Sequence, residues 1–228
     1  MKSRSFFVLL ICVTAASFGL SGCSGESEDK AAKIVANRKK GGYIRLVNLS
    51  DASARLMFGP RQLTQAEPGI GTPFSLYRPG THKAQIMVGK PEKAVNVTLE
   101  IESDRATAIY LLDSAGKTAI LHGDEVRASE SASSVRLVNL TSSAAELDMG
   151  AIGVLTAEPG GGSESKPASA GAQSWKGKNG LVLEMAPTLE AGTAYVVVLY
   201  SKGGKTHHTM LESSRKQEIQ AQGASPAG

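Results

Sequence analysis

Apolar and polar residues alternate with a period of two along short segments of this chain. The clearest case is residues 95–101 (VNVTLEI), in which every second residue is apolar. Such a period places one face of a strand in a core and the other face in solvent. Residues 108–112 and 195–200 are continuous apolar runs, which are typical of central strands covered on both faces. No long stretch has the apolar period of an amphipathic helix, so the pattern predicts an all-β protein.

Turn residues follow each of the two apolar runs. Residues 113–116 (DSAG) come after the first run, and residues 201–204 (SKGG) come after the second. Glycine, aspartate and serine favour tight turns, so we expect a hairpin after each central strand. Short strands at regular intervals, without helices, predict a small antiparallel β-sandwich in each half of the chain.

The chain also contains an internal repeat. Residues 45–50 (RLVNLS) return as 136–141 (RLVNLT), and residues 66–69 (AEPG) return unchanged as 157–160, both 91 positions later. A shared offset over several matches indicates a duplication.

Beyond these matches the offset between the two copies decreases. Two further pairs of segments are alike, 106–108 with 192–194 and 116–118 with 204–206. We interpret the glycine- and serine-rich residues 160–171 as an insertion. The second copy then lacks a counterpart of the apolar strand 84–88 and is expected to be the less stable of the two.

These patterns divide the chain into consecutive regions. We predict two tandem small antiparallel β-sandwich domains that follow a cleaved lipoprotein signal and a flexible tether. The regions are a signal peptide (1–22), the lipidated cysteine and tether (23–42), the first sandwich (43–126), a linker (127–133), the second sandwich (134–212) and a disordered tail (213–228).

The N-terminus has the parts of a secretory signal. Lys2 and Arg4 precede a short apolar core, and small residues follow it. The core is too short and too soon interrupted for a membrane span. Residues 20–23 (LSGC) resemble the lipobox of bacterial lipoproteins, which implies cleavage before Cys23 and acylation of its thiol. The alternative is a plain signal peptide with an incidental cysteine.

Acylation of Cys23 determines both the location and the cysteine chemistry. Each buried methylene of an acyl chain contributes about 0.8 kcal/mol, so several chains anchor a protein firmly to a membrane. Cys12 leaves with the signal, and the mature protein then has no free thiol, disulfide or thiolate metal site. In a Gram-negative envelope, Ser24 differs from the aspartate usual in lipoproteins kept at the inner membrane. We therefore expect the periplasmic face of the outer membrane.

The charge of the mature chain is close to neutral. The full chain has 25 basic and 21 acidic residues, and loss of Lys2 and Arg4 leaves 23 basic residues and a net charge of +2. A nucleic-acid-binding protein needs a clustered cationic surface, so this balance argues against that class. The apolar fraction of 41% argues against a wholly disordered chain.

Three segments carry a resemblance to known envelope domains. Residues 43–50 (YIRLVNLS), 78–81 (RPGT) and 108–112 (AIYLL) resemble a widespread bacterial envelope domain of unknown function that often occurs in tandem. The two-copy layout is also similar to periplasmic accessory proteins of alginate O-acetylation. These resemblances imply two small β domains and a role in exopolysaccharide modification, and neither carries over a catalytic residue or a cofactor. The chain departs from the first family by lacking Asp-Ala-Pro after Ser50. It departs from the second by its lipobox and by the glycine- and serine-rich insertion at residues 160–171.

Three side chains are candidates for ligand contact. Arg45 and Arg136 occupy the same position of the repeat, although an arginine on an alternating strand commonly covers the solvent face with its stem. Trp175 lies in a glycine-rich segment, where its ring could stack on a sugar or seal the edge of a core. Asn48 and Asn139 are expected to form side-chain-to-backbone turns.

Other chemistry has weak support in the sequence. Residues 116–118 (GKT) resemble the end of a phosphate-binding loop, but the first glycine of that loop is missing. Neighbouring residues of a strand point to opposite faces, so His207 and His208 cannot chelate one ion. No Gly-x-Ser-x-Gly motif is present, and we expect no metal, cofactor or catalytic residue.

The leading hypothesis is therefore a lipid-anchored, non-catalytic periplasmic adaptor or scaffold. The resemblance makes it an accessory protein in exopolysaccharide O-acetylation, with a membrane, a polysaccharide and proteins of a polysaccharide-modifying complex as partners. The alternatives are a glycan- or surface-binding lipoprotein without an acetylation role, and a hydrolase whose site crosses unrelated segments.

Overall fold

The computed structural model describes residues 41–122, 132–179 and 181–214. The predicted signal peptide, Cys23, nearly all of the tether and most of the linker and tail lie outside the described residues. All described residues belong to one compact unit. Within it, we call residues 41–122 the first half and residues 132–214 the second half.

The first half contains eight strands in two sheets. They are β1 (Gly42–Asn48), β2 (Ala54–Phe58), β3 (Arg61–Ala66), β4 (Ser75–Tyr77), β5 (Gly80–Val88), β6 (Lys93–Ile101), β7 (Ala106–Leu111) and β8 (Thr118–His122). The inner sheet has the order β4-β1-β7-β8, and the outer sheet has the order β3-β2-β5-β6. Apolar side chains of the two sheets meet in one core, which includes Ile44, Leu56, Ile86 and Ile109.

The second half repeats this arrangement with shorter strands. They are β9 (Ser133–Leu140), β10 (Ala145–Asp148), β11 (Val154–Ala157), β12 (Gly161–Gly162), β13 (Lys166–Ala168), β14 (Gly171–Ala172), β15 (Trp175–Lys178), β16 (Glu184–Met185), β17 (Thr188–Leu189), β18 (Thr193–Lys202) and β19 (Lys205–Ser214), with a 3-10 turn at Gly150–Ile152. The inner sheet is β12-β9-β18-β19, with β13 also paired to β9. The outer sheet is β11-β10-β15-β16, and β14 pairs with β17.

The strand patterns read from the sequence are confirmed. Strand β6 buries Val97, Leu99 and Ile101 and exposes the polar residues between them. Strands β7 and β18 are central in their sheets and are buried along nearly all of their length. Each continues into a hairpin with the next strand, as the turn residues predict.

The all-β prediction is confirmed, but one pairing in each half is parallel. Strand β1 pairs in parallel with β7, and β9 pairs in parallel with β18, whereas the other pairings are antiparallel. Between β1 and β7 the chain enters the outer sheet twice, with the edge strand β4 of the inner sheet between the two visits, and β7 then runs in the direction of β1. A crossover of this kind is what parallel neighbours require.

The register shows that the interpretation of residues 160–171 as an insertion is wrong. Gly42 pairs with Tyr77 in the first half, and Ser133 pairs with Ala168 in the second half. Both residues of the second pair lie 91 positions after the corresponding residues of the first pair. The same offset relates Leu56 facing Ile86 to Leu147 facing Gly177. The segment therefore corresponds to residues 69–80, and β14 and β15 correspond to β5. Glycine and serine obscured these strands because they give no hydrophobic alternation.

The later matches of the repeat also need a correction. Tyr43 faces Ala106 and its counterpart Ser134 faces Ala194, so 106–108 corresponds to 194–196 rather than to 192–194. The offset decreases because the hairpin between β15 and β16 is shorter than the corresponding hairpin between β5 and β6.

A third apolar cluster joins the two halves. It contains buried side chains from both inner sheets, namely Val47, Leu49, Ala108, Tyr110, Leu112, Val138, Val196, Val198 and Leu211. Each inner sheet thus packs against its own outer sheet on one face and against the other inner sheet on the opposite face. The layers follow the order outer, inner, inner, outer.

Candidate functional site

The two repeated asparagines are structural. Nδ2 of Asn48 donates to the carbonyl oxygens of Ala52 (2.7 Å) and Ala66 (3.0 Å), and its Oδ1 accepts from the amide (3.1 Å) and hydroxyl (2.7 Å) of Ser50. Asn139 makes the same four bonds within 0.1 Å, to Ser143, Ala157 and Thr141. Both amides are fully buried. Their hydrogen bonds hold the turns predicted for them and leave no amide donor for a ligand.

The repeated AEPG segment forms the turn that these asparagines hold. Pro68 and Gly69 occupy the central positions of a turn closed by a 3.1 Å bond from the Ile70 amide to the Glu67 carbonyl. Gly69 has a φ of +78°, which fits the third position of a type II turn. Its amide donates to the carbonyl of Asn48 at 2.7 Å. The two motifs that the chain repeats are therefore spatial neighbours in each half.

Arg45 and Arg136 meet at the boundary between the halves. The expectation that their stems cover a solvent face is wrong, because Arg45 is 4% exposed and Arg136 is 8% exposed. Each lies on the strand face opposite its own core, and that face packs against the other inner sheet. Both side chains line one small cavity, which we call the inter-half cavity.

The inter-half cavity has a volume of about 20 Å³. Its walls come from both inner sheets and from the loop before β4, and comprise Arg45, Phe74, Ala106, Ala108, Tyr110, Leu121, His122, Arg136, Val138 and Val196. Among the described residues that line the cavity, three can carry a positive charge: Arg45, Arg136 and His122. No carboxylate is among the described residues that line it.

In this position, the described residues give Arg45 few of the contacts that a buried cation normally makes. Its guanidinium carbon lies 4.8 Å from the centroid of the Phe74 ring, a cation–π contact. Its Nε has no hydrogen-bond partner in the described part of the chain. A desolvated cation–π contact contributes about 2 kcal/mol, whereas burying an ion costs several kcal/mol. The ring contact alone therefore does not offset the burial of this charge.

Arg136 differs from Arg45 in its contacts. Its Nε donates to the carbonyl oxygen of Ser163 at 3.0 Å, and the residue makes a further interaction. Gly162 lies against the guanidinium, and a Cβ at this glycine would come within 2.2 Å of it. A side chain at position 162 would clash with Arg136, and this close approach explains the glycine there.

Trp175 belongs to the core of the second half. It is fully buried among Leu137, Leu147 and Val197, and its Nε1 has no hydrogen-bond partner within the described residues. By register it occupies the position of Ala84 in the first half. The indole fills space that the shorter strands leave open. The structure supports the interpretation in which Trp175 seals the core. No face of its ring is available to a sugar.

An open groove on the outer sheet of the first half was not anticipated. It has a volume of about 580 Å³ and is lined by Gly59 and by neighbouring residues of β5 and β6, namely Lys83, Ala84, Gln85, Asn96, Val97 and Thr98. Nε2 of Gln85 donates to Oδ1 of Asn96 at 3.0 Å across the two strands. Alternating polar residues indicate only a solvated strand face, so the sequence gives no signal that distinguishes such a groove.

The four histidines lie apart from any metal-binding cluster that the described residues could form. His207 and His208 lie exposed on β19, and the ring of His207 stacks on Tyr200 with centroids 5.6 Å apart. His82 contacts Tyr77 edge to face at 5.0 Å. Within residues 41–122, 132–179 and 181–214, no three of the side chains His, Cys, Asp and Glu come together in a way that would hold a metal ion.

None of the described helical structure has the length and apolar character needed to cross a bilayer.

The predicted resemblance to envelope domains rests on short segments of the chain alone, such as residues 43–50 and 108–112. Neither a protein-family model nor a curated protein matches this chain, and the resemblance to alginate O-acetylation accessory proteins stays a prediction.

Proposed function

We propose that this chain is a lipid-anchored, non-catalytic periplasmic adaptor that holds an acidic polysaccharide close to the membrane. The observation that carries the proposal is the open groove on the outer sheet of the first half. Lys83, Gln85, Asn96 and Thr98 supply an ammonium group, two amides and a hydroxyl along it. Amides and hydroxyls both donate to and accept from sugar hydroxyls, and an ammonium group attracts the carboxylates of uronate residues.

The second half shows that this chemistry is not required by the fold. Gln85 faces Asn96 in the first half, and the corresponding pair in the second half is Lys176 facing Glu184. The latter two side chains form an exposed ion pair at 3.4 Å. An ion pair neutralises its own charges, whereas an amide pair keeps free donors and acceptors for a ligand. The amide pair in the groove is therefore a property of the first half, as expected for a site added to a duplicated scaffold.

The finer proposal is an accessory role in O-acetylation of an alginate-like exopolysaccharide. It is supported by the resemblance of the opening strand and of the two-copy layout. The alternative function is glycan or surface binding without an acetylation role, and the groove supports this alternative equally. Deletion of the gene separates the two, because only the accessory role predicts a lower acetyl content of the secreted polymer.

A binding measurement tests the groove. Polymannuronate and a neutral glucan are titrated into the mature chain without its acyl group, and retention or heat is measured. We expect binding to the acidic polymer that weakens at least tenfold in a Gln85→Ala/Asn96→Ala variant. The matched control is Lys176→Ala/Glu184→Ala, which alters the corresponding pair of the second half and is expected to bind like the wild type. Absence of wild-type binding to both polymers would contradict the glycan proposal.

The anchor is tested separately by Cys23→Ser. This change removes the thiol that would be acylated, and we expect the protein to leave the membrane fraction while its β-sheet circular dichroism is unchanged. Mature Cys23→Ser protein that still sediments with membranes after a salt wash would argue against the lipid anchor.

A further inference from the structure

Within the described part of the chain, the buried charge of Arg45 has neither a charged partner nor a hydrogen-bonded one. It is 4% exposed, its Nε has no hydrogen-bond acceptor among the described residues, and its contact with Phe74 is made through the ring face. Buried cations in folded proteins are paired with an anion or an acceptor. The inter-half cavity is the open space beside this guanidinium. We propose that this cavity binds one small monovalent anion, a halide such as chloride, through Arg45.

The electrostatics of the cavity favour an anion. Arg45 and Arg136 bring two positive charges to its lining from the two halves, and His122 also lines it. No carboxylate of the described residues contributes to the lining. The remaining walls are largely apolar, which strengthens the attraction between the guanidinium and an ion. The exposed His122 gives the cavity a wall that reaches solvent.

The size of the cavity selects the kind of anion. A volume of about 20 Å³ corresponds to about one water-sized sphere. Among common anions a halide needs the least space, whereas sulfate, phosphate and organic carboxylates are larger. A water molecule would satisfy Nε but would leave the charge uncompensated. The cavity therefore fits a monatomic anion better than the alternatives.

The position of the site links anion binding to the packing of the two halves. Arg45 and Ala108 come from one inner sheet, and Arg136 and Val196 come from the other, so an ion in the cavity contacts both. An ion that binds only the packed arrangement stabilises it by mass action. We expect the packed protein to be more stable in chloride than in a large anion that cannot enter.

The first test compares thermal unfolding of the whole mature chain in sodium chloride and in sodium gluconate at equal ionic strength. We expect the wild-type Tm to be a few degrees higher in chloride and to rise with chloride concentration. Arg45→Met keeps the length of the stem, removes the charge and is expected to have the same Tm in both salts. The matched control Arg55→Met, which alters an arginine paired with Glu92 on the outer sheet, is expected to keep the wild-type dependence.

The second test locates the ion and does not depend on any variant being folded. Crystals of the wild type are grown or soaked in sodium bromide, and the anomalous signal of bromine is measured. We expect a peak in the inter-half cavity in contact with the Arg45 guanidinium. Equal wild-type Tm values in chloride and gluconate, or no bromide at Arg45, would each overturn the proposal.

Discussion

Nδ2 of Asn48 donates a 3.0 Å hydrogen bond to the carbonyl oxygen of Ala66, and this contact joins the two sequence motifs that the chain repeats. Asn139 makes the same bond to Ala157 at 2.9 Å. The donors come from the ends of β1 and β9, and the acceptors are the first residues of the two AEPG segments. Retention of both motifs in both copies is explained by a buried connection between them.

Replacement of Asn48 by alanine is expected to destabilise the protein by about 3 kcal/mol. The change removes four hydrogen bonds, two of them to the carbonyl oxygens of Ala52 and Ala66, and a buried group left without its partner costs about 1–3 kcal/mol. Asn139→Ala should have a similar effect, because the bonds match within 0.1 Å. Urea unfolding measures both. A loss below about 1 kcal/mol in either variant would show that the turns hold without the asparagine.

Trp175 is expected to be a stability residue. Trp175→Ala creates a cavity in the core of the second half and should cost about 3–5 kcal/mol. Trp175→Phe should cost much less, because Nε1 has no hydrogen bond to lose within the described residues. Since this is the single tryptophan of the chain, its blue-shifted fluorescence should report unfolding of this half. Polysaccharide binding by a folded Trp175→Phe variant should equal that of the wild type, and a selective loss of binding would contradict the buried position.

Asp148 is expected to titrate below its usual pKa. The ammonium group of Lys178 donates to it at 2.9 Å, and together with the Gly150 amide it lowers the pKa of Asp148 below the usual 3.8. A carboxyl with a lowered pKa stabilises the fold at pH values above its unfolded pKa, and this stabilisation is lost as the pH falls through the folded value. NMR titration of the side-chain carboxyl carbon measures it.

Lys178→Met removes the principal cause of this shift. We expect the pKa of Asp148 to rise towards 3.8 in this variant. Lys205→Met, at the exposed start of β19, is the control and should leave the titration of Asp148 unchanged. An identical titration curve in Lys178→Met and wild type would show that the ion pair does not persist in solution.

The two halves are expected to stay together after the connector between them is cut. A protease site introduced within residues 127–131 allows cleavage of the folded protein, and gel filtration then shows whether the pieces co-elute. The shared cluster around Tyr110, Val138 and Val196 excludes water and should hold them. The first half, which has the longer outer strands, is expected to melt at a higher temperature than the second half.

A substitution in the shared cluster should separate the pieces. Val196→Glu places a charge at a position that is 1% exposed, and the cleaved halves of this variant are expected to elute individually. Val182→Glu is the matched control, because Val182 is 98% exposed and its replacement should change nothing. Separation of the cleaved wild type would mean that the cluster is too weak to hold the halves.

The sequence predicts those parts of the fold that local alternation determines. Strand β6 and the central strands β7 and β18 follow from their apolar patterns, and the repeat predicts two similar halves. The strands β12 to β15 could not be recognised, because their glycine, serine and lysine residues show no alternation of apolar and polar positions. These strands are held in place by pairing with strands distant in sequence. The parallel pairing of β1 with β7 likewise depends on the crossover and not on local sequence.

The candidate site shows the same limit. Burial of Arg45 follows from packing between the halves, which a local pattern does not encode. One signal was present: the apolar residues of 43–49 (YIRLVNL) fall on both faces of the strand, which is unusual for a strand with a solvent face. Trp175 gave no such signal, because its neighbours in sequence are polar and its core contacts come from other strands.

The parallel pairing inside each half has a consequence for the order of folding. Tyr43 joins Ala106, and Ser134 joins Ala194, so each inner sheet closes a loop that spans nearly its whole half. Loops of this length are entropically slow to close, whereas the local hairpin of β5 and β6 can form early. We therefore expect the first strand of each half to pair with its parallel neighbour late, once the penultimate strand of that half has formed.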